Sequence, residues 1–280
     1  MDREQLQAGE SLLRAAGFEI YQRDDLLACD GYLAGDDARR AAELMELVND
    51  PDIDGIICAR GGYGCDRILP MLDAGAFRQA AKPLVGYSDI TALLLWQRRC
   101  AGLMGFHGPM LDHGADLDRA ALDHLIQQLT AEGALPSTLR GRALVGGRAT
   151  GRIIGGSLTL LASSIGSPWE LDTRDAILLI EDVGERPYRI DRMLQQLRAA
   201  GKLKRLAAVG VGIFESCIDE RYPQPDVDTV IENALRPLGI PIVSGLPFGH
   251  VNANYAWPVG GRATIDGTSG CLQLLEWGVG

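Results

Sequence analysis

The chain has 280 residues, of which 46% are hydrophobic and 23% are charged, the balance of an ordinary globular protein. Its formal net charge of −10 argues against a nucleic-acid partner, because such binding depends on Lys and Arg residues that neutralise phosphates. The N-terminus lacks the apolar core of a signal peptide and no stretch is long enough to cross a bilayer, so we expect a cytoplasmic protein with no membrane partner.

Short apolar runs alternate with helical periodicity through the first part of the chain. The spacing of apolar residues predicts helices over 1–16, 38–48, 65–72, 90–99 and 118–129, separated by strands over 18–20, 53–58 and 83–87. Strands that alternate with helices are typical of a parallel sheet covered by helices on both faces. The sequence therefore predicts an α/β fold.

A polar stretch divides the chain into two parts. Residues 130–148 show no strong periodicity, and we assign 126–148 as a linker between a domain at 1–125 and a domain at 149–280. The second domain is predicted to contain strands over 176–180, 207–214, 242–243, 263–265 and 271–275, and helices over 189–200 and 226–235. Its last two strands alternate like a closing hairpin.

Ser88 is the candidate nucleophile, in the segment Gly-Tyr-Ser-Asp-Ile at 86–90 between an apolar strand and an apolar helix. A serine at a sharp strand-to-helix turn exposes its hydroxyl, and the free N–H groups of the helix N-terminus favour an oxyanion. The segment departs from the G-x-S-x-G pattern, because Ile90 stands at the second glycine. The alternative is that Ser88 or Asp89 only caps the helix.

A glycine-rich loop, Arg-Gly-Gly-Tyr-Gly at 60–64, follows the preceding predicted strand. Its spacing matches neither G-x-G-x-x-G nor a P-loop, so no nucleotide cofactor is predicted. If the two strands are neighbours, their carboxyl ends share one crevice, and an N–H group of Gly61 or Gly62 supplies half of an oxyanion hole beside Ser88. The alternative is a plain tight turn.

A serine nucleophile needs a general base, and the chain has four histidines. His250 follows the apolar loop Gly-Leu-Pro-Phe-Gly, a setting that presents an imidazole to a crevice, and we favour it. His107 is the second choice, since it also fits a buried structural role. His124 is expected to be a surface or packing residue, and His113 is expected to be solvated.

An acidic residue has to orient the base, and Glu181 at the end of the apolar run 176–180 is the candidate. Asp182 and Glu185 are close competitors, and a solvated acidic loop is the alternative. The six cysteines have no C-x-x-C spacing, no H-E-x-x-H motif exists, and no metal centre is predicted.

Segments along nearly the whole chain, in the same order, resemble the LD-carboxypeptidase family, which comprises the murein tetrapeptide carboxypeptidases of serine peptidase family S66. IICARGGYG followed by GYSDITAL is the most specific combination. The matching segments are YLAGDDARRAAEL at 32–44, IICARGGYG at 56–64, KPLVGYSDITALLL at 82–95, FHGPML at 106–111, GGSLTLL at 155–161, LLIEDVGERPYRIDRML at 178–194 and GLPFGH at 245–250.

The resemblance implies a Ser-Glu-His triad formed by Ser88, Glu181 and His250, with backbone N–H groups of Gly62 and Asp89 as the oxyanion hole. It implies a flavodoxin-like or Rossmann-like N-terminal domain, a C-terminal swivelling β/β/α domain, and an active site between the two. A homodimer is expected. Members of the family usually open with a strand, whereas this sequence begins at the first helix, so we expect an unpaired strand edge.

The activity that the resemblance implies is hydrolysis of the L,D amide bond between meso-diaminopimelate and terminal D-alanine in muropeptides, during peptidoglycan recycling. Arg60 is a candidate for holding the D-alanine carboxylate. One alternative is a microcin-immunity hydrolase of acyl-sulfamoyl or aminoacyl nucleotides, for which Trp169 or Trp257 would stack on the base. The other is a non-catalytic α/β protein that binds a small ligand.

Overall fold

The computed structural model describes residues 3–131 and 133–279, apart from the side chains of residues 113 and 115. The expectation for the His113 side chain therefore lies outside the described residues. None of the described helices combines the length and the apolarity needed to span a bilayer.

The helices are largely those that apolar periodicity predicts. Asp side chains cap four of them at the N-terminus, those that begin at residues 37, 74, 119 and 227, by accepting hydrogen bonds from the first turn. The helices are α1 Arg3–Ala15, α2 Asp37–Asn49, α3 Cys65–Ile68, α4 Ala74–Ala80, α5 Ile90–Trp96, α6 Arg119–Thr130, α7 Leu158–Ser163, α8 Pro187–Ala199 and α9 Val227–Leu235.

The strands form two sheets. The strands are β1 Ile56–Ile57, β2 Leu84–Gly86, β3 Gly105–His107, β4 Ser137–Arg140, β5 Arg142–Val145, β6 Arg148–Ser157, β7 Ala176–Val183, β8 Ala208–Glu215, β9 Ile242–Ser244, β10 Trp257–Val259, β11 Arg262–Asp266 and β12 Cys271–Leu274.

The first sheet has the order β1-β2-β3-β10, and the second has the order β4-β12-β11-β6-β7-β8-β9-β5. Strands β1 to β3 run parallel, as do β6 to β9. Seven of the eight β7 residues are buried, which explains why its sequence is apolar without alternation. The predicted α/β class with a parallel core is confirmed, and parallel strands direct their carboxyl ends to one edge of each sheet.

The return of the chain to the first sheet is the main feature that periodicity does not indicate. Strand β10, far along the chain, pairs antiparallel with β3, so that Trp257 lies opposite His107. The division into domains at 1–125 and 149–280 stays a prediction. Under this division, β10 from the second part of the chain completes the first sheet.

Several predicted elements differ from the structure. Residues 18–20 form no strand, because they pair with no other strand of the described chain. The segment 126–148, expected to be an irregular linker, ends α6 and contributes β4 and β5 to the second sheet. The helix predicted over 65–72 divides into α3 and a 3₁₀ turn at Leu69–Met71, where a proline interrupts the α-helical hydrogen bonds.

Candidate functional site

Ser88 lies in a left-handed backbone conformation directly after β2. Its φ angle is +60°, which is unusual for a residue with a side chain, and the Ser88 carbonyl accepts a hydrogen bond from the N–H of Thr91 at 2.9 Å to begin α5. The side chain is half-buried. A strained serine between a strand and a helix is the geometry of a nucleophile elbow, although the second glycine of that motif is absent.

The glycine-rich loop approaches the Ser88 side chain closely. A Cβ atom added to Gly61 would lie 2.8 Å from the Ser88 Cβ and 3.0 Å from its Oγ. The same Cβ position is 3.6 Å from the backbone nitrogen of Asp89. Only a residue without a side chain fits here, so the loop after β1 and the turn after β2 share one crevice, as their parallel order requires.

Two backbone N–H groups of the loop and the turn are without an acceptor in the described structure. Among the residues that the structure describes, the N–H groups of Gly62 and Asp89 donate no hydrogen bond. The Asp89 carboxylate does not cap α5; its Oδ2 accepts the buried N–H of Cys65 at 2.8 Å instead. The side chain therefore ties the turn to α3, while the Asp89 N–H stays available at the positive end of α5.

Glu181 and His250 are brought together by a hydrogen bond. The distance from His250 Nδ1 to Glu181 Oε2 is 2.7 Å, and the carboxylate is completely buried on β7. Gly249, with φ of +123°, lets the loop pass close above the carboxylate: an added Cβ would be 3.1 Å from Glu181 Oε2. Because Nδ1 is occupied, Nε2 is the ring nitrogen left to exchange a proton with a substrate or a nucleophile.

The two groups tune each other electrostatically. Burial of the imidazole opposes its charged form, but the hydrogen bond and the charge of Glu181 outweigh burial and raise the pKa of His250 above its ordinary value. Burial also raises the pKa of Glu181, and its contact with His250 opposes that shift. An imidazolium formed at His250 is therefore stabilised where it stands.

The competing acids point elsewhere. Asp182 Oδ2 accepts hydrogen bonds from the N–H and the hydroxyl of Thr159, each at 2.8 Å. Glu185 forms an ion pair with Arg189 at 3.3 Å on α8. Within the described part of the chain neither forms a hydrogen bond with the His250 ring. For Asp182 the reason is that successive residues of β7 face opposite sides of the sheet, and Glu185 lies beyond the end of that strand.

Tyr87 connects the two parts of the site, and the sequence did not single it out. Its buried ring packs edge-on against the His250 ring, with centroids 4.8 Å apart. In the described chain Ser88 makes no hydrogen bond with His250, and such bonds commonly shorten only when substrate binds. The residue directly before Ser88 is therefore in contact with the candidate base.

His107, the second choice for the base, lies behind Tyr87. Its ring is fully buried, stacks on Trp257 at 4.7 Å between centroids, and contacts the Tyr87 ring at 5.8 Å. Burial lowers the pKa of His107 to about 3, so the ring is neutral at ordinary pH. His124 is also a packing residue, with its Nε2 3.0 Å from the carbonyl of Ala256.

The helix that starts at the Ser88 turn rests on the second sheet. Thr91 Oγ accepts a hydrogen bond from the N–H of Ser157 at 3.2 Å, at the end of β6. Strand β6 pairs with β7 so that Ser157 lies opposite Glu181. This contact fixes the turn after β2 relative to the strand that carries Glu181. No group of three or more His, Cys, Asp or Glu side chains in the described residues is arranged to hold a metal ion.

Comparison with known proteins gives family matches to both parts of the chain. The LD-carboxypeptidase N-terminal domain matches residues 1–108, and the LD-carboxypeptidase C-terminal domain matches residues 150–265. A Bacillus subtilis protein named a probable murein peptide carboxypeptidase is 36% identical over 288 residues, which cover 99% of this chain and 89% of that protein.

Solved structures share the fold over almost the full length. A muramoyltetrapeptide carboxypeptidase from Oxalobacter formigenes matches with a TM-score of 0.86 and 32% identity, covering 98% of this chain and 95% of that chain. A microcin C7 self-immunity protein in complex with aspartyl sulfamoyl adenosine matches with a TM-score of 0.88 and 25% identity, covering 99% and 92%. The Escherichia coli microcin C7 self-immunity protein is 28% identical over 304 residues, covering 96% of this chain and 87% of that protein.

Proposed function

The chain belongs to the LD-carboxypeptidase family of serine peptidases, and we propose that it hydrolyses the L,D amide bond between meso-diaminopimelate and the terminal D-alanine of muropeptide tetrapeptides. The names of relatives that act on murein peptides and on muramoyltetrapeptide support this substrate class. The observation that carries the proposal is the 2.7 Å hydrogen bond between His250 and the buried Glu181, next to the strained turn at Ser88.

In the proposed first step, His250 Nε2 takes the proton of the Ser88 hydroxyl as its oxygen attacks the carbonyl carbon of diaminopimelate. The charge that develops on the carbonyl oxygen is held by the N–H groups of Gly62 and Asp89, and each such donor typically lowers the barrier by roughly 3–4 kcal/mol. Glu181 orients the imidazole and stabilises its cation.

The second half of the reaction reverses the proton transfer. The His250 imidazolium gives its proton to the departing amine, so free D-alanine leaves and an ester joins the peptide to Ser88. Water then attacks this ester, with His250 as the base, and the Ser88 oxygen regains the proton. The raised pKa of His250 suits a group that has to carry a proton between the two halves.

Arg60 is proposed as the partner of the D-alanine carboxylate. Its Nε donates a hydrogen bond to the Gly61 carbonyl at 3.0 Å, which folds the exposed guanidinium over the glycine-rich loop. A Cβ atom added to Gly62 would be 3.2 Å from the guanidinium, so the cation lies beside the proposed oxyanion hole.

We also propose that the protein acts in the cytoplasm, as a homodimer.

The proposal is tested with Ser88→Ala and the purified tetrapeptide, measuring D-alanine release by mass spectrometry. Alanine keeps the Cβ atom and its strain but lacks the nucleophile, so kcat should fall by on the order of 10⁶-fold. Ser163→Ala, an exposed serine on α7, is the matched control and should retain full turnover. Unchanged turnover in a folded Ser88→Ala protein would refute the triad.

The likeness to the microcin C7 self-immunity protein supports a second candidate, hydrolysis of an aminoacyl-sulfamoyl nucleotide. Such a substrate needs an aromatic surface for its base. Trp257 does not provide one, because it is completely buried against His107, whereas Trp169 is only partly buried. Incubating the enzyme in parallel with aspartyl sulfamoyl adenosine and with tetrapeptide distinguishes the two activities.

A further inference from the structure

Two large aromatic side chains stand exposed next to each other on the rim of the candidate site. Tyr32 is 77% exposed and Tyr63 is 59% exposed, and their rings pack edge to face with centroids 5.6 Å apart. Single exposed aromatic residues are common on protein surfaces, but an adjoining pair forms a continuous apolar patch with polar hydroxyl tips. Neither residue has a part in the proposed proton transfers.

The backbone holds both tyrosines firmly. Tyr32 lies in a tight turn closed by two hydrogen bonds between Asp30 and Leu33, at 2.9 and 3.0 Å. Leu33 is buried and touches the loop at Gly64, where an added Cβ would be 2.9 Å from its Cδ2. Arg40 fixes the other side by donating to the Gly64 carbonyl at 3.0 Å. The main chain that carries the two tyrosines is thus held in place on both sides.

A cation, Arg67, follows Tyr63 by four residues on α3. Arg67 forms an ion pair with Asp37 at 2.6 Å, and Asp37 also binds Arg40. The backbone N–H of Arg67 donates a hydrogen bond to the Gly64 carbonyl at 3.2 Å, so the first turn of α3 that carries Arg67 is joined to the residue after Tyr63. The patch therefore combines flat apolar surface with hydrogen-bond donors at its edge.

The position relative to Ser88 fits one part of the substrate. Gly61 touches Ser88, and Tyr63 comes two residues after Gly61. The Cα atoms of Gly61 and Tyr63 are therefore at most about 7.6 Å apart. Cleavage at the last bond of a tetrapeptide leaves three residues between the reacting carbonyl and the sugar. Three extended residues span roughly 10 Å. A sugar at the far end of the peptide is therefore within reach of the two tyrosines.

We propose that Tyr32 and Tyr63 form a subsite for the muramoyl sugar of the substrate, which rests on the proposed function. The C–H face of a pyranose ring packs on an aromatic ring, while its hydroxyl and acetamido groups bond to phenol and guanidinium donors. An uncharged sugar suits this patch, because Arg67 is already neutralised by Asp37. Rigid tyrosines provide such contact area at little cost in conformational entropy.

The test compares the binding of muramoyl-tetrapeptide and sugar-free tetrapeptide by isothermal titration calorimetry, in a Ser88→Ala background that does not consume the ligand. The measured quantity is the ratio of the two dissociation constants. Tyr32→Ala is the main variant, because Tyr63 shares its loop with Gly62. We expect the preference for the sugar-bearing ligand to fall by roughly 3- to 10-fold, the size of one aromatic contact.

Tyr21→Ala is the matched control, since Tyr21 is 52% exposed but bonds to Glu46, towards the other end of α2 from Asp37. It should leave the ratio unchanged. The subsite is refuted if Tyr32→Ala weakens the binding of both peptides equally or of neither of them. Failure of the active enzyme to cleave either peptide would refute the proposed function instead, and the binding ratio would still test the subsite.

Discussion

Ser88 owes its position to the path of the main chain, whereas His250 owes its position to the side chains around it. The nucleophile turn combines a φ angle of +60° at Ser88 with a glycine loop that leaves no room for another Cβ. The base is held by the Glu181 carboxylate at 2.7 Å and by the edge of the Tyr87 ring.

This difference predicts two kinds of sensitivity. On the base side, a change of charge alters the chemistry while the fold survives, because the packing around the imidazole stays the same. On the nucleophile side, a change of volume displaces Ser88, because the main chain leaves no space there for an additional atom. Substitutions that exchange charge without volume, or volume without charge, separate the two sides.

Among the substitutions that separate the two sides, the largest effect is expected from Glu181→Gln, which removes the charge and keeps the volume. Without the carboxylate the imidazolium loses its stabilisation and its orientation, and kcat should fall by about 10⁴-fold. Burial is then opposed only by the smaller effects of the Asp182 and Asp112 charges, so the pKa of His250 should fall and the acid limb of kcat/KM should move to lower pH. The measurement is the pH profile of D-alanine release.

The acid limb moves to lower pH because it follows the pKa of the base. The base is active when neutral, so kcat/KM rises with pH through the pKa of His250 in the free enzyme. Glu185→Gln, which changes the acid paired with Arg189, is the control and should leave the limb in place. An unshifted limb in a folded Glu181→Gln protein would show that Glu181 does not govern the imidazole.

A smaller loss is expected from Gly61→Ala, which adds one methyl group and no charge. The new Cβ would lie 2.8 Å from the Ser88 Cβ, so the serine has to move, and misplacement of a reacting group by about 1 Å costs on the order of 10²-fold in rate. Steady-state kinetics with the tetrapeptide measure it. In Gly146→Ala the nearest atom is 3.7 Å away, and turnover should be retained. Equal rates in both variants would remove the steric argument.

The smallest effect concerns stability. Asp89→Ala leaves the buried N–H of Cys65 without its acceptor, and we expect a loss of about 1–3 kcal/mol in the free energy of unfolding. Denaturant titration followed by circular dichroism measures this loss. Asp89→Asn keeps an acceptor oxygen and should lose less. If both variants are as stable as the unsubstituted protein, the carboxylate does not anchor the turn to α3.

The sequence predicted most of the elements that have a strong period or a buried apolar run. The amphipathic helices α2, α8 and α9 and the strands β7 and β8 lie close to their predicted bounds. The elements that it did not predict are short or depend on partners far along the chain. Strand β3 has three residues, too few for a period, and β10 exists because β3 offers it an edge. Nothing local in either segment carries that information.

For the candidate site, the sequence indicated candidate residues but not the contacts between them. It favoured Glu181 over Asp182 and His250 over His107, and the structure shows a hydrogen bond for the favoured pair. The role of these residues in catalysis stays a prediction. The contact of Tyr87 with His250 was not foreseen, because adjacency to a serine says nothing about which ring lies across the crevice.

The pairing of Trp257–Val259 with Gly105–His107 has a consequence for recombination among relatives. A chimaera with a crossover near residue 126 would combine an outer strand from one parent with the rest of its sheet from the other. The indole stacked on His107 would then meet a foreign partner. Viable hybrids should inherit these two segments together, although 149 residues of chain lie between them.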